Sequence, residues 1–484
     1  YYEQNDIKKA IHYFTLASEQ NHVKADEFLG IIYSNSKYVQ FDINKAIHYF
    51  KLAADKNSST AQYKLGLIYF DELYIPQDLE KAIYYLTLAA NSNNLKALNA
   101  LGLVYLSNEF IVNYIDKAIH YLTIAANLNN PKAQCNLGEI YYSDKYKRKD
   151  IQKSIYYYTL AANLNHPIAQ YNIGILYFYG KYFKQDINKA THYFKLAAQQ
   201  NLPNALFFLG IIYSYYTNPR DIDKSIYYLK LAANLNDASA QFALGLIYDN
   251  AEFVPRDMNK AIHYYLLAAN QNEPRSLFKI GLFYYFGEYK FKKDINKSIQ
   301  YLTISANKNN CDAQFFLGMF YKKGEIVPRD TKKAINLLTL SANNNHHVAQ
   351  YKLGKIYLKG KIVEQDINKA LYYLSYSAKA NNKNSQYYLG KIYYKNKYVE
   401  RDIEKSIHYL QLASENHMIQ ASFELGCIYM KGFDNISRDI DKSIHYFKEG
   451  SSFDCNFAKN NLGVIYKIIK NNPAAAAEYF QEAI

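Results

Sequence analysis

AQYKLGLIYFDELYIPQDLEKAIYYLTLAA, the stretch from Ala61 to Ala90, holds two helical segments and the link between them. In the first, Ala61, Leu65, Ile68 and Tyr69 fall at i, i+4, i+7 and i+8, which is one apolar face of an α-helix. The second opens at Asp78, where a carboxylate caps free N–H groups and favours the positive helix end, and runs to Ala90. We call the two segments helix A and helix B. Neither buries its apolar face alone, so each requires a neighbour.

The neighbours are copies of itself. Leu-Gly or Ile-Gly recurs at Gly30, Gly66, Gly102, Gly138, Gly174, Gly210, Gly245, Gly281, Gly318, Gly354, Gly390, Gly426 and Gly463, and a Tyr follows each glycine by three residues. An Asp opens helix B at Asp6, Asp42, Asp78, Asp150 and on to Asp439, with Tyr114 in its place once, so that start is expected to be weaker. A lysine follows three residues later throughout, from Lys9 and Lys45 to Lys442, close enough for an i, i+3 ion pair. Asn after helix B, from Asn21 and Asn57 to Asn381, suits a left-handed C-terminal cap. A glycine inside a helix costs about 1 kcal/mol against Ala. So many at one phase predict the close backbone approach of a packed helix.

The combined pattern A-x-x-x-L-G-x-x-Y, D-x-x-K-A and A-A resembles the Sel-1-like repeat, within the tetratricopeptide-like superfamily, over essentially the whole chain. Asn stands where that family usually carries glycine after helix B, and Tyr or Leu replaces its frequent Trp. The resemblance implies an all-α, right-handed α-solenoid of antiparallel helix pairs with helix A lining the concave side, and a role as an adaptor in multiprotein complexes. Residues 1–21 supply only a helix B, and residues 22–484 read as a continuous array of about thirteen helix pairs. The array thus begins in the middle of a repeat, which makes a longer native protein the expectation.

Composition excludes several classes. The chain of 484 residues is 49% hydrophobic and 21% charged, which is globular rather than disordered. No apolar run reaches the 18 or so residues that span a bilayer. Four scattered cysteines, Cys135, Cys311, Cys427 and Cys455, suggest neither a disulfide framework nor a zinc site, and favour a reducing compartment such as the cytoplasm. With a signal peptide upstream of Tyr1, the endoplasmic reticulum lumen would replace it. The formal charge of +14 favours acidic partners at long range.

Three features carry the functional reading. Three residues before the glycine, Tyr63, Tyr171, Phe207, Phe242, Phe278, Phe315, Tyr351, Tyr387 and Phe423 form an aromatic ladder, interrupted by Glu27, Asn99, Cys135 and Asn460. Its rings suit partner contact as well as packing between repeats. The A–B loops hold two basic clusters, Lys145, Lys147, Arg148 and Lys149, then Lys290, Lys292 and Lys293, which read as solvated surface or as contacts for an acidic partner. Histidines at one helix B place, including His12, His48, His120 and His192, alternate with Tyr84, Tyr156 and Tyr227. Successive repeats, about 10 Å apart, cannot share one metal ion.

No nucleophile elbow, phosphate loop, zinc-protease or dinucleotide fingerprint is present. The expectation is therefore a non-catalytic scaffold for other proteins, with no cofactor, metal or small-molecule substrate. A nucleic-acid-binding solenoid and the docking arm of an enzyme domain outside this stretch are the alternatives.

Overall fold

The computed structural model describes residues 2–36, 38–73, 75–107, 114–182, 184–433, 436–451 and 455–483, with side chains from Asp6 onward. Among these, 27 α-helices run from Tyr2–Glu19 to Pro473–Glu482, with one 3-10 turn at Asp144–Tyr146 and no strand. A single bridge joins Phe433 and Ile436. After the lone first helix the remainder form A–B pairs, and within each of the two units described next successive helices pack on one another. The chain divides into two compact units, residues 1–240 and 241–484, each a stack of such pairs.

Local chemistry sets every boundary. Helix B starts where Asp accepts the backbone N–H three residues on: Asp42 from Lys45 at 3.0 Å, Asp186 from Lys189 at 2.9 Å and Asp439 from Lys442 at 2.9 Å. It ends where Asn takes a positive φ, as at Asn57 (64°), Asn165 (61°) and Asn381 (61°), the left-handed residue expected from the sequence. The helix at Tyr114–Asn127 begins on Tyr114 itself, whose ring lies 4.9 Å from Tyr105 and edge-on to it. The residues before it lie outside those described.

The repeated glycines do pack tightly, but against a different group from the one expected. A Cβ on Gly66 would sit 2.5 Å from Leu86 Cγ, on Gly138 2.5 Å from Tyr158 Cδ1 and on Gly174 2.7 Å from Phe194 Cε1. Each helix A glycine is thus a seat for one large helix B side chain, and the nearby backbone, such as the Ala82 carbonyl at 3.2 Å, is secondary. Phe50, Leu86, Leu122, Phe194 and Phe447, which occupy these seats, are fully buried. They are the knobs that hold A to B within a pair.

A second motif stitches the same pair from outside. The Tyr three residues after the glycine stacks on a helix B Tyr, as in Tyr33 on Tyr49 (5.8 Å, 5° between planes) and Tyr393 on Tyr409 (6.0 Å, 5°). The repeated lysine lies over that ring, 5.1 Å from Tyr33 and 5.5 Å from Tyr393, while pairing with its capping Asp. One ammonium therefore joins a helix N-terminus to an aromatic face. In the Gly318 repeat Leu337 replaces the second ring, and Lys333 closes onto Tyr321 instead, 4.2 Å from its centroid.

Between pairs the glue is amide. Gln134, Gln314 and Gln350 are buried on helix A, and each donates at 3.0 Å to the carbonyl of Ala126, Ala306 or Ala342 at the end of the preceding helix B. Where the following repeat offers an amide it extends the chain: Gln200 donates to Gln170 at 3.1 Å and Gln271 to Gln241 at 2.8 Å. At the Gly30 repeat a buried Asp26 takes the glutamine's place and Lys56 meets it at 2.9 Å. Leaving helix ends and side chains unpaired there would cost about 1–3 kcal/mol each.

Candidate binding surface

With much of the interior filled by repeated residues, helix A's outer face and the A–B loops are two places where the sequence varies. Three helix A places lie on the outward side of the repeat, two before the glycine, one after it and five after it, and all are at least partly exposed except at Ala100. In the Gly102 repeat they hold Ala100, Leu103 and Ser107, in the Gly174 repeat Asn172, Ile175 and Tyr179, and in the Gly354 repeat Lys352, Lys355 and Lys359. The packing rules above leave these places free to differ.

The aromatic ladder sits beside this face as part of the joint between repeats. Phe242 and Tyr351 are buried, and the other seven rings are partly buried. Tyr171 lies 5.9 Å from both Phe194 and Phe208, and Phe207 lies 5.4 Å from Phe208. Phe278 meets Phe316 at 5.5 Å, Phe315 stacks on His346 at 4.8 Å, and Tyr387 meets Tyr388 edge-on at 6.1 Å. Phe242 lies beneath the Arg275 guanidinium at 4.2 Å, and Phe423 is wedged between Phe447 and Phe457. Tyr63 packs on the core of its unit and also lines a groove with Lys64, Asn94, Lys96, Asn99 and Leu103, a cleft of about 750 Å³ on three successive A helices.

The two basic loops differ from each other. Arg148 forks onto Asp116, with contacts of 2.9 and 3.2 Å, and Lys149 pairs with Asp144 at 2.8 Å. Lys147 has the positive φ of a turn and Lys145 lies over Tyr146. Arg148 is thus answered by a helix of the preceding repeat and Lys149 by its own loop. Lys290, Lys292 and Lys293 are exposed, and among the described residues no carboxylate pairs with them. In the A–B link from Phe433 to Arg438, residues 434 and 435 lie outside the described residues.

Sequence reasoning passed over a larger basic feature, on the helices themselves. The A helices Cys311–Lys323, His347–Lys359 and Lys383–Lys395 place Lys322, Lys352, Lys355, Lys359, Lys391 and Lys395 within one stretch of unit 2. Burial, and behind it the ammonium groups of Lys352, Lys355, Lys323 and Lys359, holds Lys322 below the usual lysine range. Lys355 contacts the Tyr388 ring at 5.0 Å, and Lys391 reaches Glu424 at 3.3 Å. A cleft of about 300 Å³ opens between two of these helices, walled by Tyr387, Tyr388 and Tyr398 and rimmed by Lys359, Lys395 and Lys397.

One charge network in the same unit is closed. Asp249 accepts from Arg256 at 3.1 Å, from Lys279 at 3.2 Å and from the Tyr265 hydroxyl at 3.2 Å. Burial pushes Asp249 up, but Arg256 and Lys279 outweigh it and hold the carboxyl below its ordinary range. Among the described residues no group of His, Cys, Asp and Glu is placed to hold a metal ion, and no helix is long and apolar enough to cross a membrane.

The arrangement defines a helix-hairpin repeat protein whose interior repeats and whose faces do not. The Sel1 repeat model matches at fourteen places, from residues 2–22 and 23–58 through to 419–452 and 458–484. The chain belongs to the Sel1 repeat family, whose members generally mediate protein–protein interaction. It is similar to the crystal structure of c5321, a protective antigen of uropathogenic Escherichia coli with an SLR fold, at 26% identity over 90% of this chain and 94% of that one, with a TM-score of 0.55. A Sel1 repeat protein from Oxalobacter formigenes is 27% identical over 64% of this chain and 90% of its own, with a TM-score of 0.46. A search of curated proteins finds no match.

Proposed function

We propose that this protein is a non-catalytic scaffold that holds partner proteins against the outer face of its A helices, with the A–B loop edge as a second contact. One observation carries the reading. The buried places recur from repeat to repeat, whereas the places two before, one after and five after the glycine differ between stretches of the array, from Ala100, Leu103 and Ser107 to Lys352, Lys355 and Lys359. A stack of near-identical hairpins thereby presents a sequence of distinct contacts, which is how a repeat array gains specificity without a pocket.

The aromatic ladder would contribute as the floor of that face, with ring edges exposed between repeats and little rotamer freedom to lose. Acidic protein surfaces are the expected partners, in keeping with the +14 charge and the excess of lysine on helix A. Crosslinking mass spectrometry in the native cell tests this, with lysine-reactive and carboxyl-to-amine reagents. Partner peptides joined to Lys64, Lys96, Lys359 or Lys395 are the expected products. Partner crosslinks confined to helix B, with none on helix A or the loop edge, would sink it.

A further inference from the structure

We infer that the lysine-rich face of the A helices Cys311–Lys323, His347–Lys359 and Lys383–Lys395, with the cleft between the last two, binds an extended, carboxylate-rich peptide segment of another protein. This deepens the scaffold reading and rests on it, since it gives one stretch of the face a ligand of definite chemistry.

The charge does not follow from helix chemistry alone. Lys323, Lys359 and Lys395, five residues past their glycines, lie at or next to helix C-termini, where a cation offsets the helix dipole. Lys352, Lys355 and Lys391 lie in mid-helix and gain nothing of that kind. Lys322 is held down first by burial and then by the ammonium groups of Lys352 and Lys355 beside it. Of the nearby carboxylates, Asp312 meets His346 at 3.2 Å, Glu325 meets Lys323 at 3.7 Å and Glu424 meets Lys391 at 3.3 Å, so among the described residues Lys352, Lys355 and Lys359 are left without a carboxylate partner. Like charges gathered on one face, at a cost to the folded chain, call for an anion from outside.

Shape and ring geometry choose among anions. Successive A helices lie about 10 Å apart by ordinary helix packing. An extended chain in the polyproline II conformation, rising about 3.1 Å per residue with three residues per turn, spans that distance in one turn and shows the same side at every third place, so an acidic residue there would meet one lysine cluster per repeat. Between the clusters, Leu358 and Ile392 line the cleft and offer an apolar seat. Nucleic acid fits less well, because unspecific single-strand binding relies on open aromatic faces for stacking. Here the faces carry ammonium groups: Lys391 over Tyr387 at 5.2 Å, Lys355 over Tyr388 at 5.0 Å and Lys397 over Tyr398 at 5.1 Å.

The test is a fluorescence anisotropy titration of the full chain. The probes are a labelled peptide with glutamate at every third place and leucine between, its glutamine counterpart, and a single-stranded thymidine oligonucleotide. The glutamate peptide should bind at least tenfold more tightly than the glutamine one. The double variant Lys352→Glu with Lys359→Glu should lose about tenfold or more. Lys64→Glu with Lys96→Glu, in the unit 1 groove, should stay within about twofold. Lys352→Gln with Lys359→Gln, checked for unchanged helix content by circular dichroism, should fall between and guards against misfolding of the reversal.

Equal binding of the two peptides overturns the inference. So does equal loss in the unit 1 reversal, which would reduce the effect to net charge, or tighter binding of the oligonucleotide. A partner identified by crosslinking that is still captured by Lys352→Glu with Lys359→Glu would leave the scaffold reading standing and remove this cleft from it.

Discussion

The grooves on the two units make an instructive pair. In unit 1 the A-helix face around Gly66 and Gly102 carries Tyr63, Asn94, Asn99 and Leu103 with two lysines, Lys64 and Lys96. In unit 2 the corresponding face around Gly354 and Gly390 carries Lys352, Lys355, Lys359, Lys391 and Lys395 with tyrosines. Behind both faces the construction is the same: a seated Leu86 or Leu374 against the glycine, a stacked Tyr pair, and a capping Asp held by its lysine. Folding therefore constrains one set of places and recognition is free to use another.

The sharpest way to break that contrast is to damage the seats. Phe194→Ala in unit 1 and Phe447→Ala in unit 2 each remove a fully buried ring, and each should cost about 3–5 kcal/mol by urea denaturation followed in its own unit. Clearly different costs would show that the two interiors are not equivalent. Next in size is Gly66→Ala, which drives a Cβ to 2.5 Å from Leu86 Cγ and should cost about 1–3 kcal/mol despite the better helix propensity of Ala. In a Leu86→Ala background the same change should be nearly neutral, because the seat is empty. Additive losses in that double-mutant cycle would contradict the seat.

Tyr114→Asp should stabilise by about 1 kcal/mol, because it gives the one helix B that begins on Tyr the cap its neighbours have. Loss of the Tyr105 contact would offset part of this. For Asp249 the sign follows from the depressed carboxyl. Its contribution is complete above the unfolded carboxylate pKa and is lost as pH falls through the lower folded value, so Asp249→Asn should destabilise at pH 7 and the difference should shrink as the carboxyl protonates. Thermal melts of the two proteins across that range should converge on acidification. The smallest effect belongs to the lysine face: Lys322→Met should raise stability by at most ~0.5 kcal/mol by relieving ammonium crowding, while weakening the glutamate peptide.

Sequence made the interior legible because packing repeats itself. The glycine phase, the capping Asp and the left-handed Asn each appear often enough to be read without coordinates, and each lies where it was expected. What sequence misjudged was the partner of the glycine, since period alone cannot distinguish a neighbouring backbone from a seated Leu86 or Phe194. The parallel Tyr stacks were hidden for a related reason. Tyr33 and Tyr49 sit on different helices, and nothing in their separation announces a 5° angle.

The binding face was least legible. The basic residues that stand out in sequence are adjacent in the chain, such as Lys147, Arg148 and Lys149, of which Arg148 and Lys149 pair with Asp116 and Asp144. Lys322, Lys355 and Lys391 are scattered in sequence and meet only when the repeats stack. The signal was nonetheless present in LGKIYLK and LGKIYYK, where the residue after the glycine turns from apolar to basic in two consecutive repeats.

One backbone hydrogen bond closes every A–B link for which it is described. The carbonyl of the stacked Tyr accepts from the N–H of the capping Asp, whether the two are nine places apart, as Tyr33 and Asp42, eight, as Tyr213 and Asp221, or ten, as Tyr284 and Asp294. A clasp that shuts regardless of the slack between its ends isolates that slack from the helices. Evolution, or an engineer, can lengthen this edge by splicing in new residues while the stack behind it keeps its register.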